Sequence, residues 1–317
     1  MPSYAAFGGC LDSDISFPEL IELPASLPTW TLRTSSAAPD ASPGEHLGQD
    51  QVDGEVLVRL YRNGGGYRLR FDDTGIFEVS ADGSRIRWFP AGREPDEATR
   101  IDVLGRVLAL AMHAGGMFCL HGSAVTMGDG AVAFLAPKLH GKSTLALALA
   151  LAGGRLMGDD TIALDLAGGP SVRPGVHGVR LWADSAARLT GDTGGRSAGG
   201  KGVFEVLTED QLMRSPAPLR AIYLLAPVPS DAGPPARRKR LEPVPAALSL
   251  VSHAKLGSLL GKGETGVLVR WAAAVVRTTP VYVFELMRDF DRLPEIVRQL
   301  QAWHAGAHAA VAEPALP

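Results

Sequence analysis

The chain has 317 residues, of which 46% are hydrophobic and 21% charged, and its net charge is −3. That length allows two domains at the usual ~150 residues each. The near-neutral balance excludes a general polyanion binder, so neither nucleic acid nor an anionic membrane surface is expected as a partner. Its two cysteines, Cys10 and Cys119, are too few for a disulfide framework. Apart from His121, two residues after Cys119, no histidine stands at metal-site spacing; His113, His177 and His253 do not. The start, Met1-Pro2-Ser3-Tyr4, lacks the basic region and apolar core of a signal peptide. No apolar run approaches the ~20 residues needed to span a bilayer. A cytoplasmic protein is expected.

In chain order, residues 1–50 carry few strong patterns, and 37–51, rich in Pro, Ala, Ser, Gly and Asp, read as a loop or flexible insert. Alternating runs follow at 55–61 (EVLVRLY), 67–71 (YRLRF), 76–79 and 86–89, separated by turn signals at 64–66, 72–75 and 82–83. They predict small antiparallel strands and an N-terminal β-rich module, either a packed meander or a docking surface for a macromolecular substrate. Residues 97–114 take helical spacing, with Ile101, Val103, Leu104, Val107, Leu108 and Met112 on one broad apolar face. Residues 117–125 and 130–135 then read as two strands around a tight turn.

The second of these strands runs into APKLHGKST (136–144). A phosphate-binding loop needs a compact segment before a helix N-terminus, so that backbone N–H groups converge on phosphate oxygens. In the usual G-x-x-x-x-G-K-[ST] pattern the lysine neutralises the β/γ-phosphates and the hydroxyl holds Mg²⁺. Gly141, Lys142 and Ser143 supply the second half of that Walker A pattern. Thr144 is placed to reach the α-phosphate, and His140 contributes at least its backbone N–H. Lys138 and Leu139 complete the loop, with Lys138 either a further phosphate contact or solvated. The first glycine is replaced by Ala136, and Pro137 follows it. The next stretch, LALALALA, alternates with period two, yet it lacks β-branched residues and is rich in strong helix formers. It reads as a helix that is apolar all round and buried.

Two more elements flank the loop. GRLMGDDTIAL (154–164) is a short strand, two adjacent carboxylates and a departing strand. Adjacent residues on an extended chain point to opposite sides. Asp159 and Asp160 can therefore divide two jobs, one holding Mg²⁺ and the other accepting the proton of an attacking hydroxyl. Upstream, LHGSAV (120–125) places His121 on the strand hairpinned to the one feeding the loop, within reach of the γ-phosphate or the carboxylates.

Beyond Asp165 the signals are weaker. Turns are followed by GVRLW (178–182), and the Gly-rich 190–202 reads as a lid or substrate loop, with Arg180 and Lys201 as candidate phosphate or substrate contacts. The basic run Arg237-Arg238-Lys239-Arg240 reads as a solvated loop. Strands are predicted at 219–225 and 280–286, and helices at 248–260, 266–277 and 293–304. The tail beyond is expected to be flexible.

LHGSAV, HGKSTLAL and GRLMGDDTIAL, in this order and separation, resemble the HPr kinase/phosphorylase family, and more closely its shorter relatives. Those include the serine kinases of lasso-peptide gene clusters, which phosphorylate a precursor peptide. The resemblance covers roughly 115–300. It implies an α/β fold with a P-loop kinase core of the phosphoenolpyruvate carboxykinase type, a mixed and largely antiparallel sheet. The implied layout is an N-terminal β-rich module (1–112), a kinase domain (113–305) and a flexible tail (306–317). The implied activity is ATP- and Mg²⁺-dependent phosphorylation of a Ser/Thr hydroxyl, with a peptide or small protein as the favoured acceptor. By this resemblance Lys142 meets the phosphates and Ser143 with Asp159 holds the metal. Asp160 is the base, and His121 supports the pair. The family contains hexamers, so a homo-oligomer is a further expectation. The long segment that HPr kinases use for dephosphorylation is not seen. The resemblance therefore gives no support for phosphorylase activity or for HPr as the substrate. A kinase for a small hydroxyl metabolite and a non-catalytic nucleotide-binding accessory or sensor are the alternatives.

Overall fold

The structure, a computed structural model, describes residues 1–52, 55–92, 94–176, 179–181, 183–191, 202–204, 207–229 and 233–305. Among these residues the strands form two large mixed sheets and a small ribbon. The first sheet uses β1 (Ser3–Ala6), β2 (Gly9–Ser13), β3 (Glu22–Leu23), β4 (Trp30–Thr34), β5 (Glu45–Val52), β6 (Val56–Asn63), β7 (Gly66–Phe71), β8 (Gly75–Val79) and β9 (Arg85–Pro90). Their order is β3-β1-β2-β4-β9-β8-β7-β6-β5. The alternating runs found in the sequence are the antiparallel half, β6 to β9; β2–β4 and β4–β9 are parallel pairs.

Residues 37–44 are irregular, but 45–51 are not the expected loop; they belong to β5, paired with β6 through a bulge between His46 and Gly48. The strand is polar because it is an edge, and an edge strand has no buried apolar set to show in its sequence. The irregular stretch is tied down by Arg68. This buried guanidinium meets Glu78 Oε1 at 2.6 and 3.1 Å and donates to the carbonyls of Asp40 and Ser42 at 3.1 and 2.7 Å. A buried charge needs this degree of pairing.

The helical spacing at 97–114 forms α1 (Glu97–Asp102), a π segment (Val103–Val107) and α2 (Leu108–Ala114), with Asp96 capping the start through Thr99 N–H. Leu108 to Met112 are fully buried in a core that draws residues from both large sheets.

The second sheet holds β10 (Phe118–Leu120), β11 (Gly122–Met127), β12 (Gly130–Leu135), β13 (Arg155–Gly158), β14 (Ile162–Asp165) and β15 (Ser171–Val172). Beyond them β16 (Val179–Leu181) pairs with β17 (Gly202–Phe204) as the ribbon, and β18 (Ala217–Val228), β19 (Ala236–Arg240) and β20 (Val281–Met287) complete the sheet. Central β12 lies between antiparallel β11 and parallel β18, and β18 is in turn parallel to β20. The period-two stretch is the helix α3 (Lys142–Leu151), with Leu145 to Ala150 buried. Further helices are α4 (Ala183–Thr190), α5 (Pro243–Ser252), α6 (Lys262–Val276) and α7 (Leu293–His304). No helix among the described residues is long and apolar enough to cross a membrane.

Two sequence expectations change here. The basic run 237–240 is not a solvated loop but most of β19, paired with β20. Arg238 stacks over Tyr282 and Trp303, 4.8 and 4.6 Å from the ring centroids, while its three basic neighbours stay exposed. The helix expected at 248–260 starts at Pro243 and ends at Ser252, and the rest is turns. Cys10 and Cys119 are both buried and unpaired.

One partly buried acid offers a direct check. Burial pushes the Asp102 carboxyl up to about 7, against the opposing bond from the Thr74 hydroxyl at 2.7 Å. A raised folded-state value makes the contribution fully present below the unfolded value near 3.8 and lost as pH rises through about 7. Asp102→Asn keeps an acceptor for Thr74. It is expected to raise the unfolding free energy by up to about 4 kcal/mol at pH 8 and change it little at pH 4, measured by urea titration.

Candidate functional site

The loop begins where β12 ends. Ala136 is 1% exposed and is absent from the positive-φ residues, so an alanine costs nothing there. The left-handed positions fall later, at Leu139 (φ 70°) and Gly141 (φ 84°). Gly141 takes the conformation that suits glycine. Leu139 does not, and its side chain is 57% exposed. Strain of this kind costs roughly 1–2 kcal/mol and marks a loop shaped for a task. Lys138 is exposed, and its carbonyl accepts from the His140 ring at 2.9 Å. Helix α3 starts at Lys142, so its first-turn N–H groups have no acceptor within the helix and point out of its positive end. Lys142 is 7% exposed and folds back, its Nζ donating to the carbonyls of Ala136 (2.9 Å) and Pro137 (3.0 Å). Thr144 Oγ1 donates to Ser185 Oγ of α4 at 3.4 Å.

Strands β13 and β14 bring the carboxylates to this loop. Ser143 Oγ donates to Asp159 Oδ1 at 2.9 Å, and Ser123 Oγ, fully buried on β11, donates to the same oxygen at 2.6 Å. Asp160 is not on extended chain as the sequence suggested; its φ is 68°, and this left-handed turn swings it away from Asp159. Its two carboxylate oxygens face different donors. His121 Nδ1 lies 3.2 Å from Oδ1, and Lys255 Nζ lies 2.5 Å from Oδ2. Burial pushes the Asp160 carboxyl up, but the Lys255 charge and the His121 ring outweigh it and hold it well below the usual carboxylate range.

His121 sits between β10 and β11 rather than on a continuous strand, because β10 pairs with β14 while β11 pairs with β12 and β13. Its Nδ1 is 3.0 Å from the Asp160 carbonyl. A carbonyl only accepts, so Nδ1 carries the proton and the ring tautomer is set. Its backbone N–H donates to His253 O at 2.8 Å. Burial holds His253 below the ordinary imidazole range, against the opposing bond to the Ser249 carbonyl and helped by the Lys142 charge.

The structure thus joins His121 to Asp160 and Ser143 to Asp159, with Lys138, Leu139, His140, Gly141, Lys142 and Thr144 in the loop and helix start. The side chain of Arg180 and the whole of Lys201 lie outside the described residues. Sequence reasoning missed Ser123, Lys255 and His253. Ser123 had a signal, a lone hydroxyl two residues after His121 in an apolar run. Lys255 had none, since only tertiary pairing brings it near Asp160.

The residues fit Mg²⁺ with a nucleotide. The donors, a hydroxyl and a carboxylate, are hard oxygens, which Mg²⁺ takes together with phosphates and water. Among the described residues no three His, Cys, Asp or Glu side chains converge on a metal position. The described residues therefore build no complete metal cage, and the phosphates would supply the rest.

Two glycines separate backbone strain from crowding. A Cβ on Gly141 would meet nothing within 4 Å, whereas one on Gly122 would lie 2.6 Å from Phe134 O and 2.5 Å from Leu135 Cδ2. Gly141→Ala is expected to cost about 1 kcal/mol of stability. Gly122→Ala should cost about 3 kcal/mol or more, because strand backbone must move. Chemical denaturation of the two variants reads the difference.

No protein-family model matches the chain, and no curated protein matches it. Among solved structures, the HPr(Ser) kinase/phosphatase from Coxiella burnetii is similar at 17% identity, covering 59% of this chain and 95% of that one, with a TM-score of 0.32. A likeness of that size leaves the chemistry to be argued from this chain's own geometry.

Proposed function

We propose that the chain transfers the terminal phosphoryl group of ATP to a hydroxyl of a peptide or small protein, with Mg²⁺ required. One observation carries the reading. The hydroxyl in the first turn of α3 shares a hydrogen bond with Asp159, and the next residue is a second carboxylate held by a lysine and a histidine. A site that only binds nucleotide has no use for the second carboxylate.

In this reading Lys142 leaves the loop carbonyls to meet the β- and γ-phosphates, and Ser143 with Asp159 holds the metal. Bound Mg²⁺ supplies charge neutralisation on the phosphate oxygens. Ser123 fixes the Asp159 carboxylate. Asp160 takes the proton of the acceptor hydroxyl as its oxygen bonds to the γ-phosphorus, while the bond to the bridging oxygen breaks and ADP leaves. A carboxylate held well below its usual range is a weak base. A loose phosphoryl-transfer transition state tolerates that, since proton loss comes late. The resemblance to short serine kinases makes a precursor peptide the first acceptor to test.

Lys142→Ala is expected to weaken ATP binding at least tenfold, read by titration calorimetry. Asp160→Asn should leave ATP affinity within about threefold and reduce transfer from labelled ATP to peptide by about 10²–10³-fold. Transfer that persists in Asp160→Asn would remove the base assignment.

A further inference from the structure

Lys255 is far from the motifs in sequence, yet its placement is tightly specified. The turn after α5 lies against β10 through backbone contacts. His121 N–H donates to His253 O at 2.8 Å, Leu120 bridges Ala254, and Lys255 N–H donates to Cys119 O at 2.9 Å. The side chain is only 10% exposed, and its Nζ meets Asp160 Oδ2 at 2.5 Å and Asp160 O at 3.3 Å. The site therefore holds two lysines with different anchors, Lys142 buried and Lys255 nearly so. Lys142 rests on the carbonyls of Ala136 and Pro137, while Lys255 rests on the carboxylate proposed above as the base.

This arrangement has a consequence for the transfer. The Lys255 ammonium on Oδ2 and the His121 ring facing Oδ1 both compete with an incoming proton for the Asp160 carboxylate. A lysine head is a compact point charge on a flexible stem, able to exchange one anion for another nearby. The anion that would arrive beside Asp160 is the terminal phosphoryl group.

We propose that Lys255 is the cation that reads the terminal phosphoryl group. It neutralises Asp160 in the absence of nucleotide and passes to the γ-phosphoryl oxygens when ATP binds, freeing Oδ2 for the acceptor hydroxyl. The inference rests on the nucleotide reading of the Lys142 loop. It makes Lys255 responsible for telling ATP from ADP.

The test is the affinity of the full chain for ATP and for ADP, each with Mg²⁺, by titration calorimetry. Wild type is compared with Lys255→Met, Lys255→Gln, Lys255→Arg and Lys142→Ala, after circular dichroism and thermal melts show which variants fold. Lys255→Met, or Lys255→Gln if the methionine variant does not fold, should weaken ATP binding about tenfold and leave ADP within about twofold. Lys255→Arg should keep most of the preference for ATP. Equal losses for both nucleotides, or no change for either, overturn the role of Lys255 while leaving the loop reading intact. If wild type binds neither nucleotide, or Lys142→Ala binds both as tightly as wild type, the loop reading fails and this inference falls with it.

Discussion

The burial of α3 against the second sheet and α7 fixes the site more than any single polar contact does. Leu145 to Ala150 have almost no exposed surface, and each buried leucine contributes about 1.5–3 kcal/mol. A helix held on every side cannot slide, so the N–H groups at its first turn stay where β12 delivers them. The strand order does the complementary job. Strand β11 lies between β12 and β13, so the loop, the buried Ser123 and the acidic turn after β13 meet at one end of the sheet. Polar groups then make local adjustments within a frame set by apolar packing.

Within that frame the charges are partitioned. Asp159 faces the hydroxyl donors Ser123 and Ser143, whereas Asp160 faces a lysine and a histidine. Extended backbone alone would separate the two side chains, but the left-handed turn at Asp160 also sets its direction. The Ser143 side of the turn looks into the loop. The Lys255 side looks toward the segment after α5.

Much of this was legible in the sequence, and the reasons differ by residue. Gly141, Lys142 and Ser143 are contiguous, and Asp159 and Asp160 are adjacent, so short motifs expose them. The all-apolar helix was readable because leucine and alanine favour helix whatever their period. Ala136 looked like a defect only because the usual pattern places a special backbone conformation there; this loop puts it at Leu139 instead. Lys255 was not readable, because one lysine in SHAKLGS differs from any other until the turn pairs with β10. Strand β5 hid in a polar, Gly-containing edge. The basic strand β19 hid because one guanidinium stacks on rings contributed by distant elements. In each case the missing information was tertiary.

The two thiols have a practical consequence. Cys10 lies on β2 of the first sheet and Cys119 on β10 of the second, and both are buried. Burial pushes the Cys119 thiol up to about 12, so within the folded chain it is a poor nucleophile. Alkylation of either cysteine therefore requires local opening around it. Each sheet thus carries its own built-in clock. Comparing the two labelling rates on the unmodified protein tells whether the sheets open together, as the shared core dictates, or one before the other.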